Sequence, residues 1–506
     1  MASITKKGEI KFMSRIDLIF LGFLSAIVFI IFYPVLSAEY LYSDEANQLW
    51  YASKKINFQT SVPQGRYLTY KIFEWVFSYI DTVHEVIYAR LFSLFGWILC
   101  LPVWYYIINK IVIQNKLPKA LAVLTITYLV SMPPFIIYIG WSACMEMFIA
   151  CTSALMAGYV IYDGLQYDGN QLNLSTSRLV LSLVLGLVAL FIYQNCFGCF
   201  FIPFFIHFIA VKKITRKIYT GFVFSLLIFV IYYFIFKYTL NVYAVEASGR
   251  SSLATDPLDK LLFLFARPLN TSFNFTFISN ERSVTGFVVY IIIAVAWLII
   301  YLVLQKNSSI AQKLTYLTGL LVFALLIYVP SLIVKENYSS NRTLFSLNLM
   351  IFLMVAETFF CLIKKKQLMY IATGLAGAFF LSNAWYNYNK QFLDPVKSEY
   401  ALIKNFIDQN YQPGITAVYF ICPNENAFKE KYGITPSWDE FGIPSTAKIW
   451  VPEPLIKQLI FEKTGDRQNA EKVIVKSWES MEAFKKSGEI VLKDMLFVNM
   501  KEILTR

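Results

Sequence analysis

Two carboxylates stand side by side in "YLYSDEANQLWYASKK", residues 40–55: Asp44 and Glu45, about eight residues past the end of an apolar run at 16–36. A carboxylate held where a membrane helix surfaces can act as a general base and take the proton from a hydroxyl. It can also merely open a helix, because Ser43 is a capping residue type and acids in a first turn are favoured by the exposed amides. Cations follow. Gly65 and Arg66 precede an amphipathic stretch in "QGRYLTYKIFEW", and Arg342 stands just before a helix in "KENYSSNRTLFSLN". An arginine fork beside helix-start amides suits a phosphate, and an interfacial anchor uses the same residue type. Trp50, Tyr51 and Trp75 offer rings for stacking on sugar faces or for anchoring at the interface. Glu146, in "GWSACMEMF", either faces the same cavity or pairs with a neighbouring helix, and Gln194, in "FIYQN", is a hydrogen-bonding candidate for sugar or phosphate. His207 reads as a packed helix residue and Lys71 as a snorkelling one, while Arg250, Lys260, Arg267 and Arg282 have no spacing that selects any of them.

The chain that must position these groups has 506 residues, 57% of them hydrophobic and 15% charged. That composition excludes an ordinary soluble domain and reads as a polytopic membrane protein. Eleven apolar runs are candidates to cross a hydrocarbon core of ~30 Å. They lie near 16–36, 84–108, 119–139, 143–162, 179–193, 195–211, 218–240, 286–304, 314–334, 343–363 and 367–385, and only Gln194 and Asn195 mark the break between the fifth and the sixth. The net charge of +12 falls in short basic clusters between runs, so it reports topology and not a nucleic-acid partner. Those clusters (Lys6, Lys7, Lys11 and Arg15; Lys110, Lys116 and Lys119; Arg178; Lys212, Lys213, Arg216 and Lys217; Lys306 and Lys313; Lys364 to Lys366) alternate with base-poor segments. The alternation predicts a cytoplasmic N-terminus and places the loops 37–82 and 241–285, with the tail, on the outer side. The first run lacks a small-x-small cleavage site and reads as an uncleaved span. Cys196 and Cys199 sit inside "QNCFGCFFIPFF" and read as packing residues, not as a redox or metal pair.

From about Tyr386 the pattern changes to alternating amphipathic helices and β-branched strands, with "EKVIVKS" and "EIVLKDMLFVNM" as strands and 453–464 and 478–486 as helices. The expected architecture is an all-α polytopic membrane domain, residues 1–385 with about eleven transmembrane helices, followed by a small α/β domain over 386–506. Within the tail, "SWDEFGIPS" at 437–445 carries Trp438, Asp439 and Glu440, which are unlike ordinary loop filler. A transporter would scatter ionisable residues along the middles of its helices. Here the middles are mostly bare and the polar groups gather on one face.

The acidic pair in the first outer loop, the glycine-arginine start of an interfacial helix at Gly65 and Arg66, the Tyr193-Gln194 boundary and the Asn341-Arg342 opening of a late helix together resemble the serotype-converting O-antigen glucosyltransferases. These are phage-type membrane enzymes of the GT-C class, and the length and soluble tail have the layout of the type I member. The resemblance implies an inverting single displacement that moves glucose from polyprenyl-phosphate glucose to a sugar of the lipid-linked O-antigen repeat, at the periplasmic face of a bacterial inner membrane. It implies Asp44 or Glu45 as base, Arg342 and then Arg66 on the departing phosphate, and Glu146, Gln194, Trp50 and Tyr51 as substrate contacts. It further implies a flippase and a polyprenyl-phosphate glucosyl synthase as functional partners, with membrane lipid around the chain. No cofactor, metal or nucleic acid is expected, in keeping with the lack of a G-x-x-x-x-G-K-[ST] or dinucleotide fingerprint. Two other classes compete, a lipid-linked sugar transporter or flippase and an O-antigen polymerase.

Overall fold

In lipid, backbone amides have no water to bond, so long apolar runs satisfy themselves as helices. The computed structural model describes residues 13–168, 171–249, 252–278 and 283–505. Lys6, Lys7, Lys11, Arg250 and Arg282 therefore lie outside the described residues. Among the described residues, nine helices are long and apolar enough to cross a membrane, and the bent pair Lys119–Leu129 and Pro133–Gly140 makes up to ten. Thr176–Ile192 is a shorter apolar helix. Helices thus stand at all eleven expected places, but not as eleven equal spans. At 1.5 Å per residue the 17 residues of Thr176–Ile192 reach only about 25 Å.

The 43° bend between Leu129 and Pro133 has a local cause. Pro133 and Pro134 donate no amide and clash with a preceding helical turn, and Met132 is accordingly extended at φ −74°, ψ 150°. The break at Tyr193 is likewise real. That residue is extended at φ −153°, after which Gln194–Phe201 winds as a 3₁₀ helix into Ile202–Val211.

Burial separates central from peripheral helices. Phe345–Leu362 has 78% of its apolar window buried, whereas Val284–Leu304, with a mean hydropathy of 3.0, has 6%. The first is packed on all sides and the second presents its surface to lipid. Close approach of backbones is set by small residues, as expected where lipid supplies no hydrophobic drive. A Cβ on Gly158 would lie 2.0 Å from the Phe200 carbonyl oxygen.

Val86–Gln114 carries charge at both of its ends. Arg90 lies near one end and Lys110 near the other, about 30 Å apart along the axis. Around Lys110 gather Asp163, Tyr159, Arg178 and Lys217, while Lys119 pairs with Asp17 at 2.6 Å. His207 is satisfied there by Asn115 and Thr215. The Arg90 end holds the 37–82 loop, the 335–344 segment and the tail.

The described residues of the 241–285 loop hold more helix than its sequence suggests. It contains the helix Pro257–Leu264, continued by a π-turn at Phe265–Leu269 and a short turn at Asn270–Ser272. Lys260 donates to the carbonyls of Lys335 and Glu336 and to Asn337, which fixes the segment leading to Arg342.

The last apolar helix does not stop at the expected boundary. Lys366–Asn410 is continuous over 45 residues, with a π-helical stretch at Asn387–Leu393, and carries the chain directly into the tail. The tail builds a three-stranded parallel sheet with Ala417–Ile421 central, Ile474–Trp478 on one side and Met495–Asn499 on the other; Ala417 is opposite Ile474 and Met495. The central strand is buried along its whole length. Two expected boundaries shift. The last strand begins at Met495, because its partner has only five residues to pair, and the helix expected at 478–486 begins at Met481, because Trp478 belongs to the strand. Pro452–Thr464 agrees with the expected helix at 453–464.

Candidate functional site

Of the two adjacent acids, Glu45 is closed in. Its carboxylate meets the Arg90 guanidinium at 2.6 Å, with 0% of either side chain exposed. The same carboxylate accepts from the amides of Tyr42 and Ser142, at 2.7 and 2.6 Å. Arg90 also donates to the Tyr40 carbonyl and lies over the Tyr40 ring. Each carboxylate oxygen is therefore engaged, and Glu45 joins the 37–82 loop to the start of Val86–Gln114 and to Ser142. Asp44 is half-buried and opens the helix Asp44–Trp50. Ser43 does not cap that helix as its residue type suggests. It has φ 50°, makes no side-chain cap bond, and donates its amide to the Ser445 hydroxyl of the tail. A left-handed serine costs of order 1 kcal/mol and persists only where its surroundings hold it. The expected helix through Lys55 also breaks at Trp50, giving way to a 3₁₀ turn at Ala52–Lys54.

Arg342 sits in the 3₁₀ turn Asn341–Thr343. Its guanidinium donates to the Tyr338 hydroxyl and to Asp439, the latter at 3.1 Å, lies 3.5 Å from Glu440 and packs 4.6 Å above the Trp141 ring. The two acids differ in kind. Glu440 is sealed at 0% exposure and accepts from the amides of Asn341 and Arg342, whereas Asp439 keeps 32% of its side chain exposed. Burial pushes the Glu440 carboxyl up to about 7, against the pull of Arg342. The stretch 437–445 thus enters the site itself. Tyr42 donates to the Asp439 carbonyl, and Trp438 takes φ 54°.

Arg66 stands at the N-cap position of Tyr67–Val76 without a side-chain capping bond and stacks 4.3 Å from the Tyr193 ring centre. Gly65 before it requires its lack of a side chain twice over: φ is 77°, and a Cβ would lie 2.1 Å from the Tyr232 hydroxyl. Gln194 donates to the Gln64 carbonyl and to Tyr232, both at 2.8 Å. Glu146 is buried, accepts from Thr69 at 3.0 Å and feels the charge of Arg66. Glu146 and Gln194 therefore belong to the Arg66 group.

The two arginine groups lie at the same end of the bundle: Arg66 stacks on the Tyr193 ring and Arg342 on the Trp141 ring, next to Ser142, whose amide is bonded to Glu45. Buried donors cluster here with no acceptor among the described residues: Trp141 Nε1, Ser142 Oγ, Ser339 Oγ, Asn341 Nδ2 and Trp438 Nε1. A site with two guanidiniums and spare donors has the chemistry of an anion site.

Trp50 and Tyr51 are placed elsewhere. Trp50 is buried between the 37–82 loop and the tail, with the Arg467 guanidinium 5.0 Å over its ring and bonded to its carbonyl. Tyr51 is half-buried at the edge of the same seam, near Lys54, which pairs with Glu471. Sequence reasoning did not find Arg90, Tyr338 or Thr69. Arg90 had a usable signal, since an arginine one turn inside an apolar run demands a partner. Tyr338 and Thr69 had none. Comparison with protein-family models, with curated proteins and with solved structures returns no match.

Proposed function

We propose that this chain is a membrane glycosyltransferase that moves glucose from polyprenyl-phosphate glucose to a sugar hydroxyl of lipid-linked O-antigen, at the periplasmic face of a bacterial inner membrane. The observation that carries the reading is that two guanidiniums, Arg66 over the Tyr193 ring and Arg342 over the Trp141 ring, stand at the same polar end as the helix opened by Asp44. A sugar monophosphate leaving group develops charge on phosphate oxygens, and fixed guanidiniums in a dry site stabilise it without reorganising. Asp44 takes the acceptor hydroxyl proton while that oxygen attacks the anomeric carbon. The bond from the anomeric carbon to phosphate breaks on the opposite face, and polyprenyl phosphate leaves with the electron pair toward Arg342 and Arg66. Glu45, with both oxygens engaged by Arg90, Tyr42 and Ser142, holds Asp44 in place and is not the base.

The test is the O-antigen mass in cells with and without the chain. One added hexose per repeat supports transfer. A changed chain length supports a polymerase instead, and an unchanged glycan supports transport.

A further inference from the structure

We infer that Asp439 is the resting occupant of the donor-phosphate subsite, and that a lipid monophosphate binds by exchanging with its carboxylate on Arg342 and Tyr338. This deepens the transferase reading and rests on it. A carboxylate and a phosphate ask for the same partners, an arginine fork and hydroxyl donors. Asp439 has both, since it accepts from Arg342 at 3.1 Å and from Tyr338 at 3.2 Å.

The neighbouring Glu440 shows what a permanent anchor looks like here. It is sealed from solvent and bonded to two backbone amides, so moving it would leave those amides bare. Asp439 accepts no backbone amide among the described residues and keeps a third of its side chain open, so it can leave at lower cost. The backbone that presents it is strained, with Trp438 at φ 54° and the Trp438 indole N–H buried without an acceptor among the described residues. The spare donors of Ser339, Asn341 and Trp141 flank the fork, and a phosphate has more acceptor oxygens to offer them than a carboxylate does.

Exchange of this kind makes the resident carboxylate a competitor, so the apparent donor affinity is lowered by the fraction of time it holds the fork. The full chain in nanodiscs, titrated with a polyprenyl monophosphate, tests it. Asp439→Asn and Asp439→Ser should bind about threefold or more tighter than the wild type, while Asp439→Glu, which keeps the charge, should stay near it. Equal or weaker binding by both neutral variants, with melting temperatures as in the wild type, overturns the exchange. Should one neutral variant melt early, the other and the glutamate decide. Arg342→Ala must abolish the binding. If it does not, the phosphate subsite itself is misplaced, and the transferase reading fails whatever Asp439 does.

Discussion

Arg90 and Glu45 meet at 2.6 Å with no exposed surface on either side chain, 45 positions apart in the chain. A buried pair of this kind contributes little relative to an apolar substitute, but removing one partner leaves a bare charge and costs about 3–5 kcal/mol. Glu45→Ala should therefore lower the melting temperature strongly, and Asp44→Asn should lower it far less while cutting transfer by about 10²-fold or more, the usual worth of a positioned base. Melting curves in detergent and a glucosylation assay on the same two preparations check both halves. Retained transfer in Asp44→Asn sinks the base assignment.

Gly65→Ala places a Cβ 2.1 Å from the Tyr232 hydroxyl at a backbone φ of 77°. The expected outcome is a loss of more than about 1 kcal/mol of stability and a raised KM for the lipid donor, because Arg66 follows directly. Adding Tyr232→Phe relieves the clash but not the backbone strain, so rescue should be partial. Full rescue would show that crowding alone decides.

Glu440 gives a pH dependence with a defined sign. Its carboxyl is pushed from an ordinary 4.5 to about 7 by burial, so the folded chain holds this proton more tightly than the unfolded chain. The stability it contributes is fully present below 4.5 and is lost as pH rises through 7. Glu440→Gln, which imitates the protonated form, should flatten that part of the profile. The check is the melting temperature of both proteins from pH 5 to pH 8.

Trp50 lies under Arg467 in the seam between the 37–82 loop and the tail. Trp50→Phe should leave the KM for the acceptor unchanged, and Arg467→Ala should loosen the tail by roughly 1 kcal/mol, the scale of a half-exposed cation over an aromatic ring. Tryptic release of the tail reads the second effect. A rise in acceptor KM for Trp50→Phe with unaltered tail release would return the ring to a sugar-binding role.

The helices were legible because apolar runs of span length have few alternatives, and even the awkward split at Tyr193 carried a mark in Gln194 and Asn195. The bend at Pro133 has an equally plain mark in the Pro133-Pro134 pair, but hydropathy averages across it and shows one continuous apolar run. The tail's strands and helices could be read from their periods, yet its attachment could not: nothing local in "SWDEFGIPS" says that Glu440 caps the amides of Asn341 and Arg342 about a hundred residues earlier. Arg342, Arg66, Glu146 and Gln194 stand out in the sequence by residue type and position at helix ends, and the structure sorts them into two groups, Arg342 with Tyr338, Asp439 and Glu440, and Gln194 and Glu146 beside the Gly65–Thr69 stretch that holds Arg66. Glu45 and Trp50 look from the sequence like reacting and stacking groups, because sequence shows which side chains have useful chemistry and not which of them are already occupied by a neighbour such as Arg90 or Arg467.

The helix Lys366–Asn410, at 1.5 Å per residue, is a post of about 68 Å that turns roughly the last fifth of the chain into a rotor with a fixed phase. One residue added to it would swing everything beyond by about 100°, carrying Ser445 away from Ser43 and Asp439 away from Arg342 in a single movement.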